Sequence, residues 1–411
     1  MNSLTCLDLF AGCGGLTIGL GQAGIKVSWA NEIDAHAAET YRQSHPGCTV
    51  FEEDVNLLYR RLLDRDTDLP RPGEVDLVAG GPPCQGFSGY NRHRSAEDPR
   101  NSLVESFLDV VAHLKPRYVL MENVPGMLSL DKGRVPALLL AALESFGYQA
   151  RLGILQAGYY GVPQNRWRVF IVAASAGLTP PAFPLPVHTF PRTTIFGATA
   201  FRANVVKPPD SKADLFWQPA PMVTVWDAIS DLPEIPNGGG AEESEYATAP
   251  RCAYQQMLRA NSSTVWNHMC TRLGELMLAR CKAVPKRPGA GWLDLPEHLK
   301  PKNLLRHGDR RYDNRFGRLH WEGTFNTILT QALPYWGRVI HPEQDRVISV
   351  RESARAQGFN DSFRFFGPQT RCYEQVGNAV PPPLGKALGN EFMRAAGLVA
   401  SKGPEVAQWA D

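Results

Sequence analysis

Gly80-Gly81-Pro82-Pro83-Cys84-Gln85-Gly86-Phe87-Ser88 follows directly on an apolar run, Val75-Asp76-Leu77-Val78-Ala79. The run reads as a buried parallel strand, and open α/β sheets place their ligand crevices just past the carboxyl ends of such strands. Two prolines fix φ and the flanking glycines admit a substrate close to the backbone, so the loop can hold the Cys84 thiol at a set angle. The bland alternative is a buried structural cysteine in an ordinary turn. Outward from this stretch, short apolar runs recur at 4–10, 26–30, 49–51, 117–121, 149–155 and 169–174. Helical spacing appears up to about residue 24, over 134–146, and over 102–114, with apolar residues at 103, 104, 107, 108, 110, 111 and 114. Strand and helix alternate, which predicts an α/β fold.

The chain has 411 residues, enough for one large domain with a substantial insertion or for two domains. Its 43 basic and 41 acidic residues leave a net charge of only +2, which excludes a wholly basic nucleic-acid coat. Any polyanion site must be local. Between 280 and 320, eleven basic residues face four acidic ones, a local net of +7 that fits a duplex backbone or, failing that, a solvated loop face. Eight cysteines contain no C-x-x-C pair, which excludes a zinc ribbon and a thioredoxin-type motif and suits reduced thiols in a reducing compartment. The amino terminus has no positive n-region, and no apolar run approaches the roughly 20 residues a membrane span needs. A soluble, intracellular protein is expected.

Several strand ends carry chemistry. Ala11-Gly12-Cys13-Gly14-Gly15-Leu16 is a glycine-rich turn from strand to helix, which brings backbone N–H groups up to a ligand. Thr17 stands where the dinucleotide fingerprint needs its third glycine, so a nicotinamide cofactor is disfavoured. Glu32, twenty residues after Gly12, is suited to ribose hydroxyls, or equally to a helix N-terminus. Glu122 closes the 117–121 strand; in an apolar pocket its carboxyl could carry a proton, whereas a salt-bridged structural role is the alternative. Arg166 and Arg168, two apart, would point to one side of an extended segment and could hold a base carbonyl and a neighbouring phosphate or loop carboxylate, or sit on the surface. Residues 90–95, polar and basic, read as a mobile lid or a solvated loop. From Thr179 prolines multiply and the strand–helix rhythm ends. It resumes near a capping box at Ser349 and Glu352, whose helix ends at Gly358, and in a helix opened by Pro381-Pro382.

The Cys84 loop resembles the catalytic loop of the DNA (cytosine-5)-methyltransferases, and the remaining motifs come in that family's order along nearly the whole chain. Residues 80–91 and 337–359 most resemble the catalytic domain of the eukaryotic maintenance-type enzymes. The resemblance implies a Rossmann-like S-adenosylmethionine-dependent methyltransferase domain with a mixed, mostly parallel sheet over 1–178. A smaller, irregular target-recognition domain would follow over 179–345, and 346–411 would return to the catalytic domain with its last helix beside the first strand. It implies Cys84 as nucleophile, Glu122 at ring nitrogen 3 of a flipped-out cytosine, Arg168 at its carbonyl, and Arg166 as a further catalytic residue. S-adenosylmethionine would be held by Phe10, Gly12, Gly14, Gly15, Leu16, Glu32, Asp54, Val55, Pro82, Leu103, Asn378 and Val380, with Glu52 and Glu53 as alternatives to Asp54. Gln85, Ser88, Arg92, Arg94, Arg310 and Arg311 would contact double-stranded DNA.

Further expectations follow from the same resemblance. The Cys and His cluster that binds zinc in the animal maintenance enzyme is replaced by the shorter 306–317 stretch, and Cys252, Cys270 and Cys281 alone remain nearby, so no metal is expected. Regulatory amino-terminal modules of the maintenance enzymes have no room before Leu4, so either a stand-alone catalytic protein or a piece of a larger one is expected. A monomer is expected, with chromatin or targeting partners, in the nucleus of a eukaryotic host or otherwise in the cytoplasm. A tRNA cytosine-5 methyltransferase is the nearest rival, but its Cys-Phe-Thr motif is missing. A catalytically silent DNA-binding relative is disfavoured by the presence of Cys84, Glu122, Arg166 and Arg168 together. A zinc nucleobase deaminase would need a cysteine where Phe87 stands.

Overall fold

The structure is a computed structural model, and it describes residues 3–83, 102–191, 199–209, 217–260, 262–305 and 314–399. Two compact units are distinguished. The first is built from residues up to 160, then 167–220 and the segment from 380 onward; the second comprises 161–166 and 221–379.

The first unit alternates β1 (Thr5–Leu9), α1 (Gly15–Gln22), β2 (Lys26–Asn31), α2 (Ala35–Ser44), β3 (Thr49–Phe51), α3 (Val55–Leu63), β4 (Leu77–Gly80), α4 (Ser102–Leu114), β5 (Tyr118–Asn123), α5 (Arg134–Ser145), β6 (Tyr148–Gln156) and β7 (Trp167–Ser175). These strands form one seven-stranded sheet in the order β3-β2-β1-β4-β5-β7-β6. β1 to β5 run parallel, while β7 is antiparallel to both β5 and β6, so the sheet is mixed and mostly parallel as expected. β4 and β5 are buried along their whole length, which is why they read as near-continuous apolar runs. The strand order reverses between β1 and β4, where Leu9 pairs with Gly80. That reversal sets the glycine turn beside the end of β4 at Gly80, at the position where open sheets bind ligands.

The second unit holds α6 (Val225–Ile229), β8 (Gly240–Glu245), α7 (Ala253–Arg259), β9 (Thr264–Met269), α8 (Glu275–Ala283), α9 (Lys302–Leu305), β10 (Gly317–Arg318), β11 (Arg338–Ile340), α10 (Val350–Ala356) and α11 (Gln369–Asn378). Its strands pair only in twos, β8 with β9 and β10 with β11. Side-chain ion pairs therefore carry much of the organisation. α10 starts at the capping box read from the sequence, with Ser349 and Glu352 each bonded to the other's backbone N–H. Arg355 on α10 is fully buried between Asp231 and Asp361, donating from Nη1 to Asp231 Oδ1 at 2.5 Å and from Nε to Asp361 Oδ1 at 2.9 Å. Burial alone would raise the Asp361 carboxyl, and the Arg355 charge more than offsets this and holds it low. These partners tie α10 to the second unit, although the sequence had placed everything after 345 with the first.

Only α12 (Pro382–Ala395) returns to the first unit, where it packs against α1. Glycines permit the contact: a Cβ on Gly19 would lie 2.5 Å from Lys386 N and Pro382 O, and one on Gly389 2.7 Å from Ala23 Cβ. Part of the proline-rich segment also belongs here, since Val206 N donates to Ile154 O and Thr189 N to Ala220 O. No described helix is long and apolar enough to cross a membrane.

Candidate active site

The carboxyl edge of β1 to β5 gathers most of the residues singled out in the sequence. At the end of β1 the chain turns through Phe10 and Gly12, with φ of 55° and 57°, and reaches Gly14, at φ 90°, which caps α1. Among the described residues, nothing lies within 4 Å of the position a Cβ would take on Gly12. The turn is therefore open at Gly12 and closed from behind at Gly14, where a Cβ would meet His45 Nε2 at 2.6 Å. Gly15 and Leu16 are buried in the first turn of α1.

Glu32, at the end of β2, accepts from Gly12 N at 2.8 Å on one oxygen and from Asp34 N at 2.8 Å on the other. It thus staples the glycine turn to the adjacent strand end, and burial raises its carboxyl above the ordinary range. At the end of β3, Asp54 is exposed and caps α3 through Asn56 N, while Val55 is buried. The two alternatives are engaged elsewhere, Glu52 with Arg42 and Glu53 with Arg61, each at 2.7 Å. Pro82 is buried and its carbonyl accepts from Asn123 Nδ2; Leu103 is half-buried. Val380 is buried in the first unit, and Asn378 lies exposed at the end of α11 in the second. Cys84, Gln85, Ser88, Arg92, Arg94, Arg310, Arg311 and the 90–95 lid lie outside the described residues.

Glu122 ends β5 buried, three residues after Val119 in a strand of apolar neighbours. Its Oε1 accepts from Arg168 Nε at 2.8 Å, and its Oε2 would lie 3.1 Å from a Cβ on Gly81. The carboxylate therefore faces Gly81 as half of an ion pair, which joins the strand-end burial and the salt-bridged role that the sequence offered as alternatives. Burial pushes the Arg168 guanidinium below its ordinary value, and Glu122 opposes that shift. Arg166 does not share this role. β7 begins at Trp167, so Arg166 lies before the ladder; it is fully buried and donates to the carbonyls of Ile328, Gly377 and Ala379. The two arginines expected to converge on one ligand instead do different work, one on a carboxylate and one on backbone.

The basic stretch also divides. Arg318 is buried and donates to the carbonyls of Cys281, Val284, His341 and Gln344 and to Asp345. Lys286, Arg287 and Lys300 pair with Glu343, Asp294 and Glu297. Part of the local +7 is therefore internal structure, whereas Lys282 and Lys302 are exposed. The three cysteines of this region lie apart in function: Cys252 and Cys270 donate to the carbonyls of Asp227 and Pro236, and Cys281 is buried. Among the described residues no group of three or more His, Cys, Asp or Glu side chains could hold a metal ion.

Two features escaped the sequence reading. Ile33, directly after Glu32 and two residues past the end of β2, is 66% exposed; the signal was an apolar residue between two acids at a strand end. Beneath the glycine turn, Thr17 donates to Asp8 Oδ2 at 2.6 Å and lies 2.7 Å from Tyr41 Oη, all of them buried. The signal was a charge inside an apolar strand. Burial raises Asp8 from 3.8 to about 7, against the lowering by Thr17, with Glu32 adding to the rise. The folded chain thus keeps this proton longer than the unfolded chain, so the stability it contributes is complete below about pH 4 and is lost as pH rises through 7. His45 acts oppositely, because burial lowers it to about 4 and stability falls as pH drops below about 6.5. Asp8→Asn keeps an acceptor for Thr17 and is expected to stabilise the protein at pH 8 by about 2 kcal/mol, with the gain shrinking as pH falls below 7 and vanishing toward pH 4. Thermal melts at both pH values check this, and a pH-independent difference would refute it.

A model of the family described as C-5 cytosine-specific DNA methylase matches residues 4–394. DNA (cytosine-5)-methyltransferase 4 of Arabidopsis thaliana is 39% identical over 442 residues, covering 97% of this chain and 29% of that protein. DNA (cytosine-5)-methyltransferase PliMCI of Paracentrotus lividus is 39% identical over 461 residues, covering 95% of this chain and 28% of its own length. The chain thus spans under a third of the length of these relatives. A solved E. coli prophage protein, provisionally described as a DNA modification methyltransferase, superposes with a TM-score of 0.66 at 24% identity, over 96% of this chain and 100% of that one. At that identity the likeness speaks for the fold.

Proposed function

We propose, from the premise that the chain belongs to the C-5 cytosine-specific DNA methylase family, that it methylates carbon 5 of a cytosine flipped out of duplex DNA, with CpG as the site. The observation that carries this reading is the buried Glu122–Arg168 pair facing Gly81, three residues before Cys84, on the same sheet edge as the open glycine turn.

S-adenosylmethionine fits that turn and supplies an electrophilic methyl group. The unobstructed side of Gly12 admits it, Glu32 stands beside Gly12 with lone pairs for ribose hydroxyls, and Ile33 presents an apolar surface to the adenine. The chain's own task is to make carbon 5 of cytosine nucleophilic. The Cys84 thiolate adds to carbon 6, which turns the ring into an enamine-like nucleophile. Glu122, in its protonated form, donates to ring nitrogen 3 and passes its proton there as carbon 6 is attacked, so the ring gains no net charge and the carboxylate left behind is the one Arg168 pairs with. Arg168 fixes the Glu122 carboxylate and offers its remaining N–H groups to the base carbonyl. Loss of the carbon 5 proton and departure of Cys84 restore the aromatic ring. None of these atoms is reachable in a stacked duplex, so the base must be extruded.

The test is labelled-methyl transfer to unmethylated duplex, hemimethylated duplex and total tRNA, with Cys84→Ser as control. Label in duplex DNA that disappears in the control is the expected result, and the ratio of the two duplexes separates maintenance from de novo use. Label confined to tRNA overturns the substrate, and label that survives Cys84→Ser overturns the mechanism.

A further inference from the structure

Within the second unit, β8 is a strand with one free side. It pairs with β9 from Gly240 opposite Met269 to Glu245 opposite Thr264, and the two make a sheet of their own. The far side of β9 is covered. Arg351 Nε donates to Trp266 O at 2.7 Å, and the Asn267 side chain donates to Phe365 O at 3.0 Å and accepts from Phe365 N at 2.9 Å. Among the described residues β8 has no second neighbour, and every residue in it except Ser244 is exposed. Its outward backbone N–H and C=O groups are therefore open to water, the condition in which a strand takes up another chain.

The side chains restrict what that chain can be. β8 carries Glu242, Glu243 and Glu245 and no basic residue. Glu242 pairs with Arg364 Nη2 at 3.1 Å, and that guanidinium lies over the rings of Trp266 at 4.5 Å and Phe366 at 4.8 Å. A cation from another segment is thus already held against this ribbon by a carboxylate and two rings. Among the described residues Glu243 and Glu245 have no such partner. Being two apart, they project to the same face of the strand. A second copy of β8 pairing antiparallel would set glutamate against glutamate, and a nucleic acid would bring phosphates to the same carboxylates, so both are repelled. An apolar segment would leave the carboxylates without a counter-charge. We propose that β8 is a docking edge for an extended, lysine- or arginine-bearing peptide of a partner protein, which adds as a third strand and sets basic residues, two apart, opposite Glu243 and Glu245. Main-chain hydrogen bonds supply the affinity and the charge pattern supplies the choice of peptide.

The experiment is fluorescence anisotropy of a labelled nine-residue peptide that alternates lysine and threonine, titrated with the whole chain. Wild type is expected to bind it with an affinity that falls as salt rises, and not to bind the peptide that alternates glutamate and threonine. Reversing both charges, Glu243→Lys with Glu245→Lys, is expected to weaken binding on the order of tenfold. Glu243→Gln with Glu245→Gln should give a smaller loss, and it decides the matter if the lysine variant fails to fold. Two further peptides carry backbone N-methyl groups, one on every lysine and the other on every threonine. Strand addition uses one edge of the peptide, so one of the two is expected to bind as the parent does and the other to lose binding. Equal binding of the two methylated peptides overturns the proposal, because charge alone would then hold the ligand. It is overturned equally by a wild type that binds no lysine–threonine peptide, or by an affinity that neither charge variant changes.

Discussion

Glu122→Gln is expected to slow methyl transfer by about 10²- to 10⁴-fold, the range that a positioned acid–base group supplies. Gln keeps the size of the side chain and an oxygen for Arg168, but it lacks the charge that makes the 2.8 Å contact an ion pair and the proton exchange that ring nitrogen 3 requires. The loss should fall on the single-turnover rate with the enzyme saturated by DNA and S-adenosylmethionine, because neither the glycine turn nor the second unit is touched. Some loss of stability should accompany it, since Arg168 is left buried beside a neutral partner. Rapid-quench measurement of the first turnover, with binding of both substrates measured in parallel, distinguishes the effects. A rate within tenfold of wild type would remove Glu122 from the chemistry and leave it as an anchor for Arg168.

The second large effect concerns folding. Arg355→Met is expected to destabilise the protein by about 3–5 kcal/mol, because it strands Asp231 and Asp361 as buried carboxylates without their shared counter-ion. Arg259 still donates to Asp231 at 2.9 Å and Tyr246 still bonds Asp361, so some compensation remains. Arg355→Lys should cost less than the methionine but not restore the wild type, since one ammonium cannot form the two-sided fork that grips both carboxylates. Urea unfolding followed by tryptophan fluorescence reads both variants. A loss below 1 kcal/mol for the methionine would show that the carboxylates take up protons at little cost.

How much of this was legible in the sequence depended on whether the deciding interaction was local. The strands of the parallel sheet were, because burial on both faces writes them as apolar runs; 75–79, 117–121 and 169–174 all fall on β4, β5 and β7 to within a few residues. The strand-end acids followed from the strands. The Glu122–Arg168 pair did not, because it depends on the antiparallel register of β5 against β7, in which Glu122 faces Phe170. Arg166 was misjudged because period-two reasoning holds only inside a strand, and β7 starts one residue later. The 280–320 stretch showed its charge but not its burial: composition treats Arg318, packed against four carbonyls, as equal to the exposed Lys302. α10 announced itself by its capping box, yet its place in the second unit is fixed by Arg355 and Asp231, 124 residues apart, which no local pattern reports.

The glycine-lined contact between α1 and α12 bears on how the chain is made. About 360 residues separate Gln22 from Pro382, so at ribosomal speeds of 5–20 residues per second roughly 20–70 s pass between the emergence of the two helices. Through that interval the groove at Gly19 and the apolar faces of Leu16 and Leu20 have no partner, and the whole second unit is synthesised first. The glycine turn leads into α1 at Gly14, so the nascent chain cannot finish the surroundings of the turn vectorially. The late helix acts as a closing clasp, and the uncovered face of α1 is a natural site for chaperones while it waits.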